Sequence, residues 1–361
     1  MKFLDIIDLN PRISLKKGGV YPFIEMSNVS ESYREPLSFE MKEYTSGTKF
    51  QKGDSVIARI EPCLQNGKKF FCKDFPEGFG STEFLVFRPK NSEKTDARYL
   101  YYFLQSDSLV KKMVGSMTGA TGRQRVNNAV FNDIEINFPE FDEQCEIADL
   151  LSKFDDLIEC DRKWLSLLIE SSRRLFHELI ASRADADKAS IPDGWVKTKL
   201  NDSVLPVITG KKDANYGTID GNYPFFTCSQ EPIKSPGYSF DTNAVILAGN
   251  GDFNVKLYRG KFEAYQRTYV LSPYNSDYLY LVYHSVESKM RELAKGASGS
   301  TIKFLTKGMI QNIDMVIPDD IVLEEFNSMR ESIQQKIELL NEEIRTAEIA
   351  RDYFRDLLIS Y

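Results

Sequence analysis

Only two histidines, His177 and His284, occur in 361 residues, and both sit in helical patterns. That scarcity removes most histidine-based acid–base and metal chemistry. The five cysteines, Cys63, Cys72, Cys145, Cys160 and Cys228, are scattered, odd in number and never spaced CxxC. The pattern speaks for a reduced, cytoplasmic chain without structural zinc or a disulfide framework. No run of about 18 apolar residues exists, so no membrane span is expected. The N-terminal MKFLDIIDLN carries acids within its apolar stretch and does not read as a signal peptide. There is no GxSxG elbow and no Walker A loop. AGNGDF (248–253) lacks the third glycine and following helix of a cofactor turn, and LNPRI (9–13) is not the Asn-Pro-Pro-aromatic motif of adenine methyltransferases. No catalytic machinery is legible.

A surplus of positive charge is also missing: the formal net charge is −7. The acid is concentrated, however. Residues 141–190 carry a net −5 and residues 321–361 a net −4, whereas residues 1–140 are net +2 and residues 191–320 are neutral. The larger blocks are therefore free to meet a polyanion.

Both acidic segments read as long helices. In the first, Ile147, Leu151, Phe154, Ile158, Leu165, Leu168 and Leu175 step by threes and fours, with Asp161 and Ser172 breaking the stripe. In the second, Phe326, Ile333, Leu340 and Phe354 lie on one heptad row, and Ile337 and Ile344 on its companion. A 3.5-residue period without internal proline or glycine is the signature of a coiled-coil seam. A helix of about 33 residues spans roughly 50 Å and needs a partner for its stripe. The other helix of the same chain is the nearest candidate, although an ordinary bundle packed on a core gives the same pattern.

The remaining sequence states itself twice. GATGRQRVNN (119–128) is matched by GASGSTIKFL (296–305), and GGVYPFIEMSNV (18–29) by DGNYPFFTCSQE (220–231). ARYLYYFLQSDSLVKKM (97–113) matches SDYLYLVYHSVESKM (276–290) as an amphipathic helix, and VFNDIEINFP (130–139) matches MIQNIDMVIP (309–318). Tyr99 to Tyr278 and Pro139 to Pro318 are both displaced by 179 residues, a spacing that loosens over the first half of each block. Strands are expected over 55–60, 83–88, 244–248 and 267–272. The fold class is α+β: two repeated β-rich domains, 1–143 and 195–320, alternating with helical segments 144–182 and 321–361, and a polar linker over 183–194.

Polar and basic residues gather at the predicted loop tips. In the first block these are Arg59, Gln65, Asn66, Lys68, Lys69, Arg123, Gln124, Arg125 and Asn127. In the second they are Asn250, Lys256, Arg259, Arg267, Ser300, Thr301 and Lys303. Arg, Asn and Gln make bidentate contacts to base edges, while lysine and glycine-loop amides hold phosphates. Solvated turns would look alike residue by residue.

GDSVIARIEPCLQNGK, GFGSTEFLVFRP and GATGRQRV, with FPEFDEQCEIADLLSKFDDLI at the helix entry and IPDGW before the second block, resemble the specificity subunits of type I restriction–modification systems. The resemblance covers essentially the whole chain. It implies two target recognition domains, each reading half of a bipartite site in double-stranded DNA. It implies two antiparallel helices that fix the unread gap and dock two modification (methyltransferase) subunits. It further implies that S-adenosylmethionine belongs to the modification subunit, that ATP and magnesium belong to an optional restriction motor-nuclease subunit, and that this chain is non-catalytic. The second block lacks a GSTEF equivalent and has AYQRTYVL (264–271) in its place, so the halves should read different sequences and the target should be asymmetric. The first block starts without the Pro-x-Gly-Trp entry, so Met1 is expected close to the last helix. An enzyme with unfamiliar motifs, a scaffold that no longer binds DNA and a protein-only adaptor remain the alternatives at this point.

Overall fold

The computed structural model describes all residues except 75, 185–190, 204–205, 252, 298–302 and 360–361. The described chain divides into two compact units, Met1–Leu165 with Leu339–Tyr361, and Ser166–Glu338.

The first unit contains two four-stranded sheets. Strands β1 (Ile7–Leu9), β8 (Phe84–Pro89), β5 (Ser55–Ala58) and β6 (Lys69–Phe71) form one in the order β1-β8-β5-β6. Strands β3 (Glu40–Glu43), β2 (Val20–Ile24), β7 (Glu77–Gly80) and β4 (Thr48–Gln51) form the other in the order β3-β2-β7-β4. Val56 to Ala58 of β5 and Phe84 to Phe87 of β8 are apolar and buried in succession because both faces are covered there. Period-two alternation sends Val56, Phe84 and Val86 into one core with Ile24, Phe50 and Phe70. It sends Ile57, Leu85 and Phe87 into another with Phe3, Tyr102, Phe103 and Phe131. Each such side chain contributes roughly 1.5–3 kcal/mol through burial.

The second unit repeats this plan in one six-stranded sheet. Its members are β10 (Ile208–Thr209), β15 (Thr268–Leu271), β13 (Phe240–Ala248), β14 (Val255–Ala264), β11 (Tyr223–Phe226) and β12 (Ile233–Ser235), in that order. Long strand β14 does the work of both β6 and β7. Val255 to Phe262 pair with β13, and the last two residues, Glu263 and Ala264, run parallel to β11 as β7 runs parallel to β2. AGNGDF (248–253) begins at the last residue of β13, and its Asp252 lies outside the described residues. A separate ladder joins β9 (Val196–Lys199) to β16 (Asp314–Ile317). Val245 and Leu247 face one core, and Ala244 and Ile246 the other, as in the first unit.

Register explains the loosening spacing. Arg125 is bridged by Ile60 and Phe304 by Asn250, so a displacement of 179 in one partner accompanies 190 in the other. Ser55↔Phe87 and Val245↔Leu271 give 184 on β8. Phe23 and Phe225, parallel partners of Phe79 and Glu263, give 202. The strands are equivalent, and the displacement shrinks stepwise because the first unit carries the longer connections between them. One expected helix differs. Residues 97–113 form two helices, α2 (Ala97–Phe103) and α3 (Asp107–Gly115), interrupted at Ser106, whereas the second unit has one, α6 (Leu279–Gly296).

The two long helices are α4 (Phe141–Phe176), ending in a π-turn over His177–Ala181, and α8 (Asp320–Leu358). Among the described residues no helix is long and apolar enough to cross a membrane. The expected seam divides between two jobs. Ile147 and Leu151 belong to the α/β core of the first unit, together with Phe3 and Ile359. Ile158, Ile344 and Ala347 form a helix–helix cluster with Phe154 and Leu165, and Phe154 stacks on Phe354 at 5.8 Å. In the second unit Phe326 is wholly buried in the core, and Leu175 packs on it. Leu168, Ile333, Ile337 and Leu340 are half-buried. Pairing of low numbers on α4 with high numbers on α8 makes the helices antiparallel within the first unit; Phe176 against Phe326 and Ser172 near Arg330 show the same sense in the second.

Ionic contacts lock the helices down in each unit. In the first, the carboxylate of buried Asp155 accepts from Arg351 at 2.7 Å and from the Tyr102 hydroxyl at 2.5 Å. Burial and that carboxylate together push the Tyr102 phenol up. Arg34 reaches Asp156 and Glu159 on the next turn at 2.5 and 2.9 Å. In the second, Arg259 on β14 grips Glu331 of α8 at 2.7 and 3.0 Å, and Tyr280 donates to the same carboxylate at 2.6 Å. His284 is a buried structural histidine. Its Nε2 accepts from Arg330 and Ser172, which leaves Nδ1 protonated toward Glu287. Burial, the largest cause, lowers its pKa.

Asp155→Ala leaves Arg351 with Asp352 as its remaining carboxylate and Tyr102 without that acceptor, and is expected to cost about 1.5–3 kcal/mol, read as a fall in the urea midpoint. Hydrogen bonding to Arg259 is the main cause that lowers the Glu331 carboxyl to about 2. Because this folded-state pKa lies below the unfolded value, the stabilisation is complete above about pH 4.5 and is lost as pH falls toward 2. Carboxyl-carbon NMR should find Glu331 ionised down to about pH 2 in the native chain, and titrating near about 4 in Arg259→Ala.

Candidate nucleic-acid interface

Two stretches far apart in sequence meet at the end of β5. The Val126 amide donates to the Arg59 carbonyl, Ile60 bridges Arg125, and the Glu61 amide donates to the Gln124 carbonyl. Arg125 also bridges Thr118 across the loop, which closes residues 119–124 into a tip. That closure needs left-handed backbone at Gly119 (φ 127°) and Gly122 (φ 78°), which is why glycines stand there. The Gly122 amide donates to the Glu61 carboxylate at 3.1 Å, tying the tip to the neighbouring turn. Arg123 is exposed, and Gln124 is half-buried.

Arg125 is not a free cation. Its Nε and Nη2 clasp the Glu83 carboxylate at 2.7–3.0 Å. Hydrogen bonding to that guanidinium holds the Glu83 carboxyl below the usual range. Glu83 was absent from the candidates drawn from sequence. It lies within GSTEF, which reads as framework, and its pairing across 42 positions is invisible without the fold. Asn127 caps the 3₁₀ turn Asn128–Asp133 by accepting from the Ala129 amide at 3.0 Å.

The turn after β5 presents exposed Gln65 and Asn66. The two lysines that follow turn back onto the protein. Lys68 donates to the Met26 carbonyl at 2.9 Å, and Lys69 to the Glu31 and Gly67 carbonyls. Desolvation, with Arg351 and Arg355 nearby, lowers the Lys69 ammonium to about 8.

The same backbone ladder recurs in the second unit. The Leu305 amide donates to the Gly249 carbonyl as Val126 does to Arg59, and the Gly249 amide donates to the Arg267 carbonyl as Arg59 does to Glu83. The side chains differ throughout. Half-buried Asn250 bridges Phe304, which occupies the Arg125 position, and exposed Arg267 occupies that of Glu83. Exposed Lys303 adjoins Phe304. Lys256 donates to the Ser229 carbonyl at 2.8 Å and to Asn254, and burial lowers its pKa. Arg259 is committed to Glu331. Ser300 and Thr301 lie outside the described residues.

Residues 5–167 match the family model for the type I restriction modification DNA specificity domain. The specificity subunit of the Escherichia coli type I restriction enzyme EcoDI is 40% identical over 130 residues, 36% of this chain and 28% of that one. The matches to the EcoAI and EcoEI specificity subunits of the same organism likewise cover 38% and 37% of their lengths, so this chain spans about a third of these curated relatives. The MjaVIII specificity subunit of Methanocaldococcus jannaschii is 24% identical, with 95% of this chain and 89% of that one covered. A crystal structure of a type I restriction–modification S subunit from M. genitalium superposes with a TM-score of 0.55 at 15% identity, covering 99% of this chain and 94% of the other. Its likeness is one of fold. With the GFGSTEF and GATGRQRV stretches placed on one strand end and the same plan present twice, the chain is similar to the specificity subunits of type I restriction–modification systems along most of its length and matches the DNA specificity domain over residues 5–167.

Proposed function

We propose that this chain reads an asymmetric bipartite sequence in double-stranded DNA and performs no chemistry itself. One observation carries the reading: the same backbone ladder displays a different set of side chains in each unit. Arg123, Gln124 and Arg125 with Gln65 and Asn66 are the first unit's readers; Asn250, Arg267 and Lys303 are the second's. Lys68, Lys69, Lys256 and Arg259 serve packing instead, since carbonyls and carboxylates of the fold already hold them.

Two modification subunits dock on the long helices in this reading. On α4, Leu150, Leu157 and Trp164 are exposed at heptad spacing, and on α8 Ile349, Tyr353 and Leu357 are exposed one turn apart. Such rows cost free energy when wet and suit a protein partner. The methyl donor S-adenosylmethionine then sits in the modification subunit, and ATP with magnesium in a restriction subunit where one joins. Restriction subunits are an optional addition to the complex.

Modified-base sequencing of DNA from cells expressing this chain with its modification partner tests the proposal. Methylated adenines should define one bipartite, asymmetric motif, and Arg123→Ala with Arg125→Ala should erase its first half. Absence of any motif, with the partner active beside another specificity subunit, would leave a silent scaffold. Glu83→Gln removes the carboxylate that occupies Arg125. It should tighten binding to every duplex and reduce discrimination at the first half-site by about 1–3 kcal/mol, read by fluorescence anisotropy on target and scrambled DNA.

A further inference from the structure

An open cleft of about 470 Å³ lies in the first unit, and its lining holds three cations, Arg12, Lys49 and Arg59, with no carboxylate among the lining residues. Asn10, Thr48, Thr82 and Phe84 also line it. Only Arg59 was singled out by sequence.

The donors are set in advance. Lys49 Nζ donates to the Ile13 carbonyl at 2.9 Å and lies over the Tyr44 ring at 5.1 Å, which fixes the ammonium and leaves two protons unused. Asn10 adopts φ 51°, donates its backbone amide to the Val86 carbonyl, and accepts from the Val86 amide through Oδ1 at 3.0 Å. Its side-chain NH2 is therefore the end left for a ligand. The Arg59 Nε is buried without a partner among the described residues. Arg12 is exposed and makes no hydrogen bond or ion pair among the described residues.

Its cations and the Asn10 side-chain NH2 only donate, and the Thr48 and Thr82 hydroxyls can donate as well, so the lining suits a ligand that only accepts. An asparagine whose oxygen is committed to the backbone cannot make the paired donor–acceptor contact that reads adenine. Phosphodiester oxygens need donors alone, and positive charge rewards them further by counterion release. Building on the DNA-reading proposal, we propose that this cleft grips the sugar–phosphate backbone of the duplex and sets the register in which the neighbouring loop tip meets the bases. The grip belongs to one half of the molecule. At the displacement of 190 that relates the strand ends, Lys49 corresponds to Ser239 and Arg59 to Gly249, so the second unit lacks both cations.

The test measures affinity and its salt dependence for the full chain assembled with its modification partner, on a duplex carrying the methylated motif and on a scrambled duplex. Arg12→Ala with Lys49→Ala should weaken both duplexes alike, about 10-fold, and flatten the slope of log affinity against log salt by about 2. The methylation motif should stay the same. Arg12→Glu, an exposed change that spares the core, should act in the same direction. Loss on the motif duplex alone would make the cleft a base-reading pocket and overturn the backbone assignment. Unchanged affinity and slope, with the native complex binding normally, would sink this inference and leave the DNA-reading proposal intact. A native complex that shows no salt-dependent binding would sink both.

Discussion

The structure depends on covering the apolar stripes of two helices that run for 36 and 39 residues. Neither can stay helical with its stripe in water. The stripe is divided between uses. Its ends enter globular cores, Ile147 and Leu151 in the first unit and Phe326 in the second. A middle portion, Ile158 with Ile344 and Ala347, buries helix against helix. Apolar contact is non-directional, so it cannot by itself fix which turn of α8 faces which turn of α4. Asp155 supplies that register: its carboxylate is satisfied only when Arg351 and Tyr102 both reach it. The buried charge raises the cost of a slipped pairing more than it adds to stability.

Much of this was legible in the sequence, because the repeat, the heptads and the buried strands are local patterns. SVIA and AVILA announce strands covered on both faces, and the displacement of 179 announces the duplication. The heptad alone could not separate core anchor from helix seam, since both ask for the same residues at the same spacing. The interruption at Ser106 was missed because the flanking residues have helical spacing on either side.

Side-chain destinations were the least legible part. Lysine and arginine have long, flexible stems, and their partners are chosen by whatever acceptor the fold brings near. Arg259 is drawn to Glu331, 72 positions on, and Lys68 to a carbonyl 42 positions back. Both look like surface cations in the sequence. Arg125 was found, but its carboxylate was not. Conversely Arg12 in the loop after β1 and Lys49 on β4 are unremarkable in the sequence, and only the pairing of β1 and β4 with their neighbours gathers them beside Arg59.

A duplicated scaffold separates folding from reading. Two backbone bonds of the ladder recur, Leu305 to Gly249 and Gly249 to Arg267 matching Val126 to Arg59 and Arg59 to Glu83, and they are satisfied whatever side chains they carry. Those side chains differ in kind. In the first unit a carboxylate, Glu83, pins Arg125; in the second, Arg267 stands at the carboxylate's place and Phe304 at the arginine's. A paired guanidinium is aimed and partly neutralised, while Arg267 is an exposed cation beside an aromatic ring. The two tips therefore cannot present the same donors at the same positions to a base pair. On the proposed reading, an asymmetric target follows from that chemistry more directly than from the loop lengths, and a change of tip would change the sequence read without disturbing the cores beneath.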